Sequence, residues 1–178
     1  MTDKSKLEER WEEHMRCEFE LKDADATMAT MAPHPFLNHI PTMTGGYGYE
    51  QVYQFYKHSF IPSIPADAIV TSVSRTIGEH QLVDELILTF THEREMPFML
   101  PGIPATYKKV ELPHIVIVYF DHDMKVRGEH IYWDQATLLA QIGLLDVNQY
   151  PVTGAEQARK VLDESLPSNL LMKKWMKK

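Results

Sequence analysis

Four side chains in this sequence have the type and placement for proton transfer: His39, His92, His130 and Asp134. Neutral imidazoles, or one imidazole against one carboxylate, titrate near enough to pH 7 to give and take protons in a reaction. Asp134 ends the run "RGEHIYWD" and stands directly before "QATLLAQIGLL". A carboxylate there acts as acid or base where an apolar wall desolvates it and raises its pKa. It serves equally well as the N-cap of the helix that follows, and the two roles can coexist. His130 either takes a direct part or orients Asp134. His39 and His92 have a structural reading beside the chemical one. His114, in mid-strand after Pro113, reads first as structural.

The elements that must hold these groups follow from periodicity. "KSKLEERWEEHMRCEFEL" places Leu7, Trp11, Met15 and Phe19 at near-helical spacing. Asp23 can cap a short helix, "ADATMATMA", which stops before "PHP". "FLNHIPT" is an extended piece, "GGYG" a turn, and "YEQVYQFYKHSF" a third amphipathic helix that "IPSIP" cannot continue. From Asp67 the character changes to β-branched alternation. "AIVTSVSRTI", the turn "GEHQ" and "LVDELILTFTHE" form a long hairpin. "KVELPHIVIVYF" is apolar on both faces and therefore central, and "VRGEHIYWD" is the last strand. Helices followed by strands give an α+β class: a curved antiparallel sheet wrapped around N-terminal helices. The expected division is a domain over 1–146 and an extension over 147–178, with a weak helix "AEQARKVLDESL" and the basic run "LLMKKWMKK".

Strand parity then aims the candidates. Leu86, Leu88, Phe90 and His92 share one face, and Leu112, His114, Val116, Val118 and Phe120 share another. In the last strand His130, Tyr132 and Asp134 lie opposite Glu129, Ile131 and Trp133. The expectation is that the His130 row faces the apolar interior, so that His39, His92, His130 and Asp134 border one cavity. Tyr56, Phe98, Leu100, His114, Tyr132 and Trp133 would complete its wall or lid.

The totals exclude several classes. The chain has 178 residues, is 44% hydrophobic and carries a net charge of −7. An acidic chain without a basic cluster in its body is a poor nucleic-acid binder. The terminal basic run, one turn with one Trp, binds lipid weakly, so no stable membrane association is expected. The N-terminus has no apolar signal region and no run approaches the ~18 apolar residues of a membrane span, so a cytoplasmic protein is expected. Cys17 is the only cysteine, so no internal disulfide forms. There is no Gly-x-Ser-x-Gly elbow, no phosphate loop in "MTGGYGYE", no His-Glu-x-x-His in "HERE" and no dinucleotide fingerprint. No local ligand spacing supports a metal, and neither a metal nor a cofactor is expected.

The segments "DADATMATMAPHPFLNHIPTMTGGYG", "FYKHSFIPSIP", "FTHEREMPFMLPGIPAT" and "EHIYWDQATLLAQIGLLD" resemble the SnoaL-like domain of the nuclear-transport-factor-2-like superfamily. They are most similar to the form found alone or joined to dienelactone-hydrolase-type domains in fungal proteins. The likeness runs from Arg16 to Asp146. It implies a conical α+β half-barrel with a deep pocket, dimeric through the outer sheet face. It also implies an aspartate near the end of the last strands as acid or base with a histidine nearby, for which Asp134 and His130 are the matches. Two functions fit. One is cofactor-independent acid–base catalysis on a small, mostly apolar carbonyl compound such as a lactone, ester or polyketide-like ring. The other is a non-catalytic small-molecule-binding or dimerisation module, since one fold hosts many functions.

Overall fold

The computed structural model describes residues 4–176. The first three residues and the final two lysines of the basic run lie outside the described residues. Helix α1 (Lys4–Arg16) runs into a five-residue π turn, Cys17–Leu21. Helix α2 (Ala24–Thr30) is capped by Asp23, whose carboxylate accepts from the amides of Asp25 and Ala26. Strands β1 (Met31–His39) and β2 (Thr44–Tyr47) form a tight hairpin, and α3 (Tyr49–Phe55) leads into a second π turn, Tyr56–Phe60. Then come β3 (Ile69–Ile77), β4 (Gln81–Thr91), β5 (Lys109–Phe120), β6 (Val126–Trp133) and α4 (Gln135–Gln141). Two short helices, α5 (Glu156–Leu162) and α6 (Leu170–Trp175), end the described chain.

The six strands make one open, curved sheet in the order β2-β1-β6-β5-β4-β3. The α+β architecture is the expected one, with two differences. The β1–β6 pair is parallel, so β6 is an interior strand and the sheet is mixed. "GGY" is not a turn but the edge strand β2, and β1 begins at Met31, running through "PHP" with an irregular register over the prolines. Proline is tolerated where ladder bonding is broken.

Gly128 shows why β1 can lie on β6. A Cβ there would meet the Phe36 ring at 2.4 Å, so only glycine lets the opposing aromatic cross the strand.

The N-terminal helices pack against one face of the sheet. Helix α1 is fixed there by Trp11, whose indole N–H donates to Asp84 at 2.8 Å, and by Arg75, which grips the same carboxylate at 2.9 and 3.2 Å. Arg75 also reaches Glu8 and Glu12 on the helix at 3.1 and 3.2 Å. Asp84 is buried, and a bidentate guanidinium with an indole donor satisfies it. This clamp sets the height of α1 over the sheet and so the place of His14, one turn further on. The opposite face of the sheet meets α5, where Ala158 is fully buried and Arg159 pairs with Glu111 of β5 at 2.6 Å.

Candidate functional site

A cavity of about 70 Å³ lies between the sheet's inner face and the helices. That is room for several waters or one small ring. Its wall is mainly apolar, including Phe19, Leu37, Phe60, Leu86, Leu88 and Ile131. Its polar groups are Glu18, Tyr56, Glu129, His39 and His114, with His14 directly behind the first three.

The expected rows of β4 and β5 face inward, and Leu86, Leu88, His114 and Val116 line the cavity, but His92 at the end of the β4 row does not. The row of β6 is inverted. Glu129, Ile131 and Trp133 point inward, while His130 and Tyr132 point out. Alternation separates two faces but carries no sign; the bulky apolar pair Ile131 and Trp133 takes the interior, and the amphipathic row takes the surface. Of the expected set, His39, His114, Tyr56, Phe98 and Trp133 meet at the cavity. Asp134, His130, His92, Tyr132 and Leu100 do not.

Each of those five has another setting. His130 sits on the outer face between Phe36 and Tyr119, at 5.2 and 5.4 Å between ring centroids, with Arg127 over both aromatic rings. Tyr132 is exposed on the same face, and Leu100 is core. His92 lies beyond the end of β4, where its Nδ1 takes the amide of Thr106 and contacts the Thr106 hydroxyl. Asp134 caps α4, accepting from the amides of Ala136 and Thr137, from the Thr137 hydroxyl and from Gln157. Those hydrogen bonds outweigh its partial burial and lower its pKa.

Beside the expected Tyr56 stands a group the sequence reading missed: His14, Glu18 and Glu129. His14 Nε2 stands 3.0 Å from Glu129 Oε1, 3.1 Å from Glu18 Oε1 and 3.2 Å from Tyr56 Oη. Its Nδ1 is 2.5 Å from Thr30 Oγ1, and that hydroxyl donates to the carbonyl of Thr27. The Thr30 proton is therefore committed, so Nδ1 donates to Thr30. With Nδ1 protonated and Nε2 facing two carboxylates, His14 is an imidazolium. Burial alone would lower its pKa, but the charges of Glu18 and Glu129 outweigh burial and raise it to about 10. Burial raises the Glu129 carboxyl above its ordinary range; the His14 charge and hydrogen bond oppose that shift and the like charge of Glu18 adds to it. Tyr56 is raised well above the usual phenol value, first by burial.

Both π turns contribute to this cluster: Glu18 lies inside the first and Tyr56 opens the second. Such turns recur at functional sites because the extra residue re-aims side chains. The sequence held a signal. His14 and Glu18 are four residues apart, each one position before the apolar Met15 and Phe19, hence on the buried side of α1. The spacing of the three ligand atoms on His14, Glu18 and Glu129 could also hold a cation. The proton on His14 already supplies a positive charge at that position.

His39 and His114 differ from His14. Nδ1 of His39 donates to the carbonyl of Thr44 at 3.3 Å and Nδ1 of His114 to that of Leu112 at 3.0 Å. Among the described residues no carboxylate faces either ring. Burial lowers their pKa values to about 3 and about 4, so both are neutral.

No family model matches the chain, and no curated protein matches it. Solved structures do. A candidate SnoaL-like polyketide cyclase from Jannaschia sp. superposes with a TM-score of 0.62 at 17% identity, over 80% of this chain and 95% of that one. SalBIII, an epoxide hydrolase/cyclase-like enzyme in pyran ring formation of the polyether salinomycin, gives 0.57 at 13% identity, over 75% and 95%. A candidate ketosteroid isomerase from Kribbella flavida gives 0.53 at 14% identity, over 75% and 82%. What is shared at such identities is the fold. The chain has the conical α+β fold of SnoaL-like, nuclear-transport-factor-2-like and ketosteroid-isomerase-like proteins.

Proposed function

We propose that the protein is a cofactor-independent acid–base enzyme for a small, mostly apolar carbonyl compound, with Glu129 as the proton-transferring group. The observation that carries this reading is a buried carboxyl on the wall of an apolar cavity, its pKa raised, held against a cation. Desolvation makes Glu129 a stronger base than a carboxylate in water, and His14 limits the rise so that the charged form stays accessible. His14 cannot be the base, because it already holds its proton. Its role is to position Glu129 and to balance the charge. Tyr56 lines the cavity with its O–H on Glu129 Oε1 at 3.4 Å; once Glu129 has taken up a proton it is a weaker acceptor, and the Tyr56 O–H can turn to a developing oxygen anion. Isomerisation, cyclisation, dehydration and lactone hydrolysis all use such a base beside such a donor. The fold neighbours described as a cyclase-like enzyme and as candidate cyclase and isomerase add to this reading.

The test is a panel of small cyclic enones, lactones and β-keto esters, with product formation and exchange of α-hydrogen for deuterium as readouts. Wild-type protein is expected to act on at least one member. Glu129→Gln should lower that rate by roughly 10²–10⁴, the range of general acid–base catalysis, with the fold intact by circular dichroism. Binding of panel members with neither exchange nor product would favour the non-catalytic binding module.

A further inference from the structure

His39 and His114 present an arrangement that proton transfer by Glu129 leaves unexplained. They stand on β1 and β5, on either side of β6, and both rings lean on Trp133, with centroids 5.6 and 5.5 Å away. His39 is otherwise ringed by Phe55, Phe60 and Phe98. Both side chains are buried, and both line the cavity. A carbonyl oxygen only accepts, so the bonds to Thr44 and Leu112 put the ring proton on Nδ1 in each case. Each Nε2 therefore carries a lone pair. Among the described residues no donor meets either of them. Neither Nε2 is sealed within the protein, so each opens onto the cavity, where a lone pair left without a donor is a site for one.

We propose that His39 and His114 form a subsite for a hydrogen-bond donor of the ligand: a hydroxyl, or an N–H, on a small ring. The polarity is the reverse of an oxyanion hole. Two lone pairs attract O–H and repel a bare carbonyl oxygen or an oxyanion, so the ligand's carbonyl must point away from this end. Combined with the role proposed for Glu129, on which this clause rests, the substrate class becomes a hydroxylated single-ring carbonyl compound with its hydroxyl at His39 and His114. Two imidazole lone pairs could also suit a metal, but neither residue belongs to any group of three or more ligating side chains within coordinating reach among the described residues. The cavity's small volume restricts the occupant to about one ring.

The probes are resorcinol and m-xylene, matched in ring and in the placement of their substituents, differing in O–H against CH₃. Nitrogen-15 NMR of the imidazoles in wild-type protein should show His39 and His114 as neutral Nδ1–H tautomers. Resorcinol should move their Nε2 resonances upfield, and m-xylene should not. In the His39→Phe/His114→Phe protein the preference for resorcinol over m-xylene should fall about ten-fold or more, the effect of two ordinary hydrogen bonds. Protonated Nε2 atoms, or Nε2 resonances that ignore resorcinol, would overturn the proposal even if the double variant fails to fold. An unchanged preference in a folded double variant would overturn it too. Neither readout needs turnover, so a catalytically silent Glu129 leaves this result standing, and failure here leaves the Glu129 experiment untouched.

Discussion

Three buried histidines serve one cavity, one as a cation and two as neutral rings. On the helix side, His14 is wedged between Glu18 and Glu129 and keeps two ring protons. On the strand side, His39 and His114 see backbone carbonyls and aromatic rings and keep one each. Burial pushes all three pKa values down. Only the partners differ, and two carboxylates reverse the sign. A histidine's role in an interior is thus set by what shares its desolvated space rather than by depth.

The largest effect expected on this contrast comes from His14→Leu. It leaves two buried carboxylates without their cation, which should cost about 3–5 kcal/mol in urea unfolding. His39→Phe loses one hydrogen bond to a carbonyl and should cost only about 0.5–1.5 kcal/mol. Equal costs would erase the distinction between the two sides.

The pH dependence of stability sharpens it. His14 has a folded pKa of about 10 against 6.5 unfolded. Its contribution is complete below 6.5 and disappears as pH rises through about 10; Glu129, also raised, declines with rising pH in the same sense. His39 and His114, at about 3 and about 4, contribute fully above 6.5 and lose that contribution as pH falls toward those values. Denaturant titrations across pH should peak near neutrality. His14→Leu should flatten the alkaline arm, and the His39→Phe/His114→Phe pair the acid arm.

The smallest effect belongs to Asp134→Asn. Asn caps about as well as Asp, so stability should change by only a few tenths of a kcal/mol. Turnover of any substrate found should be unchanged, since Asp134 faces α5 and not the cavity. A large fall in rate at constant melting temperature would return the chemistry to the end of β6. The homodimer expected from the apolar outer face is likewise a proposal. Ile115 and Tyr132 are exposed there, and sedimentation showing a monomer at micromolar concentration would count against it.

How far the sequence was legible depended on the kind of signal. The hairpin β3–β4, the two-faced strand β5 and the Asp23 and Asp134 caps were readable because alternation and capping chemistry are local. The parallel seating of β1 on β6 was not, since it rests on Phe36 crossing Gly128, a contact between distant segments. For the site, His39 and His114 were found. Glu129 was noted on a strand face but assigned outward, because parity has no sign. His14 and Glu18 were hidden in a helix whose apolar stripe drew the reading to Trp11, Met15 and Phe19. Two charged groups on a buried stripe mean little until a third, Glu129, is known to oppose them.

The parallel β1–β6 seam also governs how the molecule comes to exist. The strands β3 to β6 join through successive antiparallel neighbours, whose loops close cheaply. The seam joins chain segments separated by about half of the sequence, and such contacts bear a greater closure entropy and form slowly. Until β1 docks, Glu129 lacks its ladder neighbour Leu37 and His39 has no Trp133 to lean on. The finished cavity is therefore expected late in folding, complete only when β1 and β6, segments about ninety residues apart, have met.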